Sequence, residues 1–245
     1  MAMLRGRERA DYVVGMFGRI SGRYDLLNAL MSGGRHHAWR RKALSMAQDG
    51  LGAEGPALDL AAGTLDFPLD AAGMGESGEW VATDFSAPML KIGVDKLRRA
   101  KRADRVGVAL SDAHELPFKD DSFALVTAGF GMRNFIDRPA ALAEIGRVLK
   151  PGGRLVVLDI FSARGAGPVA GLFAFAFRAV APLLGLVFAG NRDAYTYLPE
   201  SAVGFTYDGL ESDMGAAGLT RIDGQRLAFG SVAILVGERP APGRS

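Results

Sequence analysis

The stretch DLAAGTLDF, Asp59 to Phe67, overlaps the end of a short apolar run, ALDLA (residues 57–61), and leads into a stretch able to form a helix. A strand that passes into a helix through a glycine-containing loop is where open α/β sheets bind ligands, at the carboxyl ends of the strands near a topological switch point. Gly63 lets the backbone approach a ligand closely. Leu65 stands where such loops usually carry another glycine. Because Gly63 already supplies the flexible point, Leu65 is expected to open the following helix with a helical backbone. Glycine would there cost about 0.8–1.0 kcal/mol more in a helix interior. A position demanding positive φ would instead strain a leucine by about 1–3 kcal/mol and displace the loop.

Outward from this loop the pattern alternates. EWVATD (79–84), RVGVALSDA (105–113), FALVTAGF (123–130) and RLVVLDIF (154–161) are further short apolar runs. Between them lie APMLKIGVDKLRRAK (87–101) and RPAALAEIGRVL (138–149), the latter with Leu142, Ile145 and Leu149 on one helical face. Apolar runs joined by crossover helices form a parallel sheet covered on both sides. GLTRIDGQRL (218–227) and GSVAILVGER (230–239) follow with little between them and predict an antiparallel terminal hairpin. The expected fold is therefore α/β: a Rossmann-like, doubly wound, mostly parallel seven-stranded sheet closed by an antiparallel hairpin. It reads as a single domain (1–245), with a helical amino-terminal cap (1–50) and an apolar helical insertion (163–210) covering the substrate.

Composition narrows the function. The 245 residues are 49% hydrophobic, enough for a full core. Lysine plus arginine exceed aspartate plus glutamate by only 29 to 27, which gives no argument for nucleic acid as a partner. With no cysteine, disulfides, thiolate metal sites and cysteine nucleophiles are excluded. His36 and His37 lack a third ligand nearby, so no metal site is expected and a solvated or helix-capping role is favoured. The amino terminus has no apolar core of signal-peptide length, so a cytoplasmic protein is expected.

The segment Gly167–Gly190, GPVAGLFAFAFRAVAPLLGLVFAG, is long enough to span a membrane. Arg178 near its centre costs about 2.5–3.5 kcal/mol on insertion scales, and Pro182 with four glycines breaks it as one helix. It reads as two short apolar helices meeting near Pro182, an apolar tunnel wall that includes Phe173 and Phe177.

The loop residues choose the cofactor. Asp84 ends the second run, 21 residues after Gly63. A carboxylate there can accept from both hydroxyls of a ribose. Positions 59, 61 and 63 read Asp, Ala and Gly, so the tight pyrophosphate turn of a dinucleotide site is missing. Asp112, after the third run, could meet an exocyclic amine such as that of adenine. Ribose, adenine and an amino acid tail without phosphates describe S-adenosylmethionine.

The chain resembles the ubiquinone/menaquinone biosynthesis C-methyltransferases, within the class I S-adenosylmethionine-dependent enzymes. The carriers are YDLLNALMSGGRHHAWRRKAL (24–44), LDLAAGTLDF (58–67), LPFKDDSFALVTAGFGMRNFID (116–137), EIGRVLKPGGRLVVLDI (144–160) and AYTYLPESAVGF (194–205). By that resemblance Ala61, Gly63, Thr64, Asp84, Asp112, Ala113 and Gly129 line the cofactor pocket. The family usually reads GTGD in the first loop and often has serine at the position of Gly129, so Leu65 and Gly129 are departures that bear on cofactor affinity.

The implied substrate is a polyprenylated quinol, either a benzoquinol or a naphthoquinol, in ubiquinone or menaquinone biosynthesis. Methylating a ring carbon needs electron density, which an ionised ring hydroxyl supplies. A phenol has an ordinary pKa of about 10, so the site must favour the phenolate. Arg133 and Asn134, after the fourth run, are placed to do so by charge-assisted hydrogen bonding. A guanidinium stays protonated, so the proton goes to water, oriented by Tyr24. Arg35, Arg40, Arg41 and Lys42 are candidates to touch anionic lipid at the inner face of the membrane. Peripheral membrane contact and a homodimer are both compatible with this reading. Two rival functions stay in view: methylation of another phenolic small molecule, and a non-catalytic relative whose loop decayed at Leu65.

Overall fold

The structure is a computed structural model and describes residues 15–19, 21–49, 51–75, 78–162 and 201–242. After a helical stretch at 15–19 and a 3₁₀ turn (Ser21–Arg23) come α1 (Tyr24–Ser32) and α2 (His36–Gln48). The chain then alternates: β1 (Ala57–Leu60), α3 (Asp66–Gly73), β2 (Trp80–Asp84), α4 (Ala87–Arg99), β3 (Val106–Leu110), β4 (Phe123–Gly129), α5 (Arg138–Val148) and β5 (Leu149–Ile160). Beyond the insertion lie α6 (Tyr207–Ala216), β6 (Thr220–Leu227) and β7 (Val232–Glu238).

The seven strands are ordered β3-β2-β1-β4-β5-β7-β6. The first five pair in parallel, whereas β7 runs antiparallel to both β5 and β6. The terminal hairpin expected from the sequence is thus present, with its second strand inserted beside β5. Strands 1 and 4 are neighbours although two crossovers separate them in sequence, so the switch point lies between them.

Alternation along the strands sends side chains to two cores. Leu58, Leu60, Val126, Ala128, Leu155 and Val157 pack with Leu142 and Ile145 of α5 and Leu210 and Met214 of α6. Ala57, Leu125, Val156 and Leu158 face the other way, onto Ala43 and Leu44 of α2, Ala71 of α3 and Leu90 and Leu97 of α4. Burial on both faces explains the unbroken apolar runs, such as FALVTAG in β4. Local signals set the helix starts. The Asp137 carboxylate accepts from the Ala140 N–H at 3.0 Å, with Pro139 in the first turn of α5. Thr206 caps α6 by accepting from the Gly209 N–H at 3.1 Å.

Most of the expected insertion, 163–200, including Phe173, Phe177, Arg178 and Pro182, lies outside the described residues. Among the described residues no helix is long and apolar enough to cross a membrane.

Candidate active site

At the carboxyl ends of β1, β2 and β4 the chain leaves two adjoining clefts, both walled by Tyr24, Ala61, Gly63, Gly129 and Phe130. The first cleft is polar and continues to Arg40, Asp59, Thr64 and Asp66. The second is largely apolar, with Phe17, Phe85, Met89 and Phe135 beside Asp84, Ser86 and Asn134.

The loop after β1 is wound through left-handed residues: Ala61, Gly63 and Leu65 have φ of 50°, 54° and 63°. The helical backbone expected at Leu65 is therefore not observed. Leu65 precedes α3 rather than opening it, with ψ of 38°. A non-glycine residue in this region costs about 1–2 kcal/mol. The loop is nevertheless in place, because the Gly63 N–H donates to the Asp84 carboxylate at 2.8 Å and the Ala62 N–H donates to the Thr83 carbonyl at 3.0 Å. The Leu65 side chain does not narrow the cleft either. It is fully buried against α4, in a notch left by Gly93.

Gly129, the second departure, has an equally local cause. A Cβ at that position would come within 2.6 Å of the Phe67 ring, so Phe67 already fills the space a serine side chain would need.

Asp84 sits where the strand pattern placed it. Its second oxygen accepts from the Ser86 N–H at 2.8 Å. Burial pushes the carboxyl up from its ordinary range, and the Ser86, Gly63 and Phe85 N–H groups pull it partly back. With about four acceptor sites on a carboxylate, Asp84 keeps room for a further donor. Beside it, the Ser86 hydroxyl is the buried side-chain polar atom that has no hydrogen-bond partner among the described residues. Buried polar groups are normally paired, so an unpaired hydroxyl next to a carboxylate suits a ligand carrying vicinal hydroxyls. Sequence reasoning missed Ser86, although it lies only two residues past Asp84.

Asp59 is a buried carboxyl in the polar cleft. Burial pushes it up to about 8, against the Thr127 hydroxyl, which donates to it at 2.6 Å, and against Arg40.

Asp112 and Ala113 do not wall either cleft. The Asp112 carboxylate is exposed and accepts from the His114 N–H at 3.0 Å, with the imidazole Nδ1 at 2.5 Å. Burial raises this carboxyl, but the His114 contacts outweigh it and hold it below the usual range.

Tyr24 and Asn134 both face the apolar cleft, whereas Arg133 stands behind it. Its side chain is 2% exposed. The guanidinium donates to Asp159 and to the Phe130 carbonyl, both at 2.5 Å, and to the Ser201 hydroxyl at 3.1 Å. Asp159 is itself fully buried, so the pair is close to neutral. The guanidinium expected to hydrogen-bond the phenolate is thus part of a wall-forming ion pair. Burial raises the Tyr24 phenol above its ordinary value, against an Asn28 hydrogen bond and the field of Arg133.

His36 is 4% exposed, not solvated, and its Nδ1 meets the Ser32 hydroxyl at 2.7 Å. Burial, then Arg40 and His37, lower it to about 4. Arg40 is also buried, donating to Asp70 at 2.5 Å and lying 3.2 Å from Asp66, so it is removed from any lipid-facing set. Among the described residues no cluster of histidine and carboxylate side chains could hold a metal.

A doubly wound sheet whose first loop lacks the dinucleotide glycine pattern, with a cleft at its switch point that holds a buried carboxylate, an unpaired hydroxyl and a polar far end, defines an S-adenosylmethionine-dependent methyltransferase. Comparison with known proteins places it within that class: the chain belongs to the ubiE/COQ5 methyltransferase family, whose model matches residues 5–239. It is 42% identical over 226 residues to the demethylmenaquinone methyltransferase of Thermus thermophilus, covering 92% of this chain and 100% of that one. With the demethylmenaquinone methyltransferase of Lactiplantibacillus plantarum it shares 40% identity over 231 residues, 94% of this chain and 96% of the other. The fold is also that of a methyltransferase from Thermotoga maritima, with a TM-score of 0.61 at 20% identity over 92% and 98% of the two chains.

Proposed function

We propose that this protein C-methylates a polyprenylated quinol, with demethylmenaquinol as the acceptor, in menaquinone biosynthesis. The observation that carries the reading is the pairing of a polar cleft lined by Asp59, Thr64 and Asp66 with an adjoining, largely apolar cleft that presents Asp84, Ser86, Tyr24 and Asn134. The names of the two relatives described above support the naphthoquinol over the benzoquinol.

S-adenosylmethionine, when bound, supplies an electrophilic methyl group on a sulfonium. Asp84 and Ser86 would hold its ribose, Gly63 and Gly129 would let it approach the backbone, and Asp59 and Thr64 would face its amino acid tail. Asp112 would have to turn from His114 to reach the adenine amine. For the acceptor, Asn134 and Tyr24 hydrogen-bond the ring oxygens and hold the ring in register, the source of much of the rate. The raised phenol of Tyr24 keeps it a neutral donor, fit to orient the water that removes the ring hydroxyl proton. Arg133, paired with Asp159, acts from behind by its field and by fixing the turn that carries Asn134.

The decayed-loop alternative loses its premise, because Leu65 is accommodated by Gly93 and the Gly63–Asp84 bond is made. A lipid-borne acceptor calls for peripheral approach to a membrane. Leu26 and Leu30, one turn apart on α1, are 52% and 42% exposed, and Arg35, Arg41 and Lys42 are exposed nearby in sequence. Calorimetric titration with S-adenosylmethionine, followed by methyl transfer to demethylmenaquinol and to a demethylated benzoquinol, tests the proposal. Binding with transfer to the naphthoquinol supports it. Binding without transfer to either quinol overturns the acceptor.

A further inference from the structure

Lys96 lies on α4, outside both clefts, yet its ammonium is fully engaged. It has three N–H donors, and three oxygens meet it: Asp25 Oδ2 at 2.8 Å, Thr64 Oγ1 at 3.1 Å, and Asp66 Oδ1. Those oxygens come from three different parts of the chain: helix α1, the loop after β1, and the first turn of α3. The Thr64 hydroxyl in turn donates to the other oxygen of Asp25 at 2.6 Å. Lys96 is 20% exposed and Asp66 14%, so that contact is better shielded from solvent than an ordinary surface ion pair, whereas Asp25 is 42% exposed. Burial raises the Asp66 carboxyl, but Arg40 and Lys96 together overcome this and hold it below its ordinary value.

Gly93 precedes Lys96 by three residues on the same helix face, and it is the notch that receives Leu65. One face of α4 therefore grips residues 64, 65 and 66 in turn, the segment whose backbone passes through the unfavourable left-handed region at Leu65. The same ammonium reaches Asp25, and the next residue toward the amino terminus is Tyr24, which walls both clefts.

We infer that Lys96 is a positioning residue for methyl transfer. Its three-way contact locks the cofactor loop and, through Asp25, seats α1 on that loop, so the placement of Tyr24 depends on the loop geometry. The inference rests on the function proposed above for its kinetic part, but its structural part is testable on the protein alone.

The variants are Lys96→Met, which keeps the stem and removes the donors, and Asp25→Ala, which cuts the contacts of α1 with Lys96 and with the Thr64 hydroxyl. In the ligand-free protein, amide exchange across Tyr24–Ser32 should quicken about tenfold or more in both, with β4 unchanged, because local opening reports the lost tether. With S-adenosylhomocysteine as the probe, Lys96→Met should bind about tenfold more weakly, while Asp25→Ala stays within about threefold. Asp25→Ala should nevertheless lower kcat about tenfold, because the reacting groups are misplaced while cofactor affinity holds. Wild-type exchange rates in α1 of Asp25→Ala, or an unchanged kcat, would overturn the inference. Should Lys96→Met fail to fold, Asp25→Ala alone decides. If the wild type neither binds S-adenosylhomocysteine nor methylates a quinol, the proposed function fails, and the ligand-free exchange comparison still decides whether the tether exists.

Discussion

The side chain of Leu65 occupies the space in which a Cβ on Gly93 would lie; such an atom would overlap the Leu65 Cγ. This relationship reconciles a leucine with a left-handed φ of 63° in the cofactor loop. The backbone penalty of about 1–2 kcal/mol is offset by burying an entire leucine side chain, about 1.5–3 kcal/mol.

Gly93→Ala should therefore destabilise by about 1–3 kcal/mol, the usual cost of overpacking. Leu65→Gly should relieve the backbone yet still lose stability, since a buried leucine truncated even to alanine costs about 2–5 kcal/mol. The two changes remove each other's clash, so the double variant should be more stable than the sum of the singles predicts. Urea denaturation of the four proteins measures the coupling; additive values would mean that the notch does not hold Leu65.

Asp84 is the cofactor anchor and also the acceptor for two backbone N–H groups. Asp84→Ala confounds these roles, because each orphaned N–H costs about 1–3 kcal/mol. Asp84→Asn keeps an acceptor oxygen and loses the charge, so it should weaken cofactor binding about tenfold or more, in line with the roughly 1.5–3 kcal/mol of a charged hydrogen bond. Its melting temperature should fall less than that of Asp84→Ala. Calorimetry alongside thermal melts separates the two effects, and unchanged affinity in Asp84→Asn would remove Asp84 from the ribose site.

The strands and their order of use were legible because a sheet buried on both faces must be written as continuous apolar runs, and Asp84 was legible because it ends one of them. What escaped was set by neighbours distant in sequence. The left-handed Leu65 is permitted by Gly93, 28 residues on, and no local propensity records that notch. The ion pair of Arg133 was not legible because its partner, Asp159, lies 26 residues away, on β5. His36 looked solvated within a polar run, yet α2 turns that face inward. Asp112 stands outside the two clefts for a nearer reason: His114, two residues on, engages its carboxylate.

Asp59 gives the ligand-free protein a pH dependence. It faces the Thr127 hydroxyl from β4, Arg40 from α2, Asp66 from α3 and Asp84 from β2. Its carboxyl titrates near 8 when folded, against about 3.9 for an ordinary aspartate in the unfolded chain. Between those values the folded state holds a proton that the unfolded state has released. The contribution is therefore fully present below about pH 4 and is lost as pH rises through 8. Asp59→Asn should flatten the fall in urea midpoint between about pH 6 and 8.5. A wild-type midpoint that rises across that interval, or a fall that persists in Asp59→Asn, would show that Asp59 is ionised in the fold.

Arg133 and Asp159 form a buried pair whose partners cannot be removed one at a time without cost. Arg133→Met leaves Asp159 charged and 0% exposed, which should cost about 3–5 kcal/mol. A loss of activity in that variant alone therefore says nothing about chemistry. Arg133→Met with Asp159→Asn removes both charges. The amide oxygen introduced at position 159 can still accept from a backbone N–H, as the Asp159 carboxylate does from those of Arg133 and Ile160. This double variant should regain most of the lost stability. If the field of Arg133 on the phenol and its hold on the Asn134 turn serve catalysis, kcat should stay about tenfold or more below wild type, a loss of about 1.4 kcal/mol of barrier lowering. The rate loss should also be larger near neutral pH than at high pH, where the quinol ionises without help. Full recovery of kcat together with stability would make the pair a structural brace and leave Tyr24 and Asn134 as the groups that act on the acceptor.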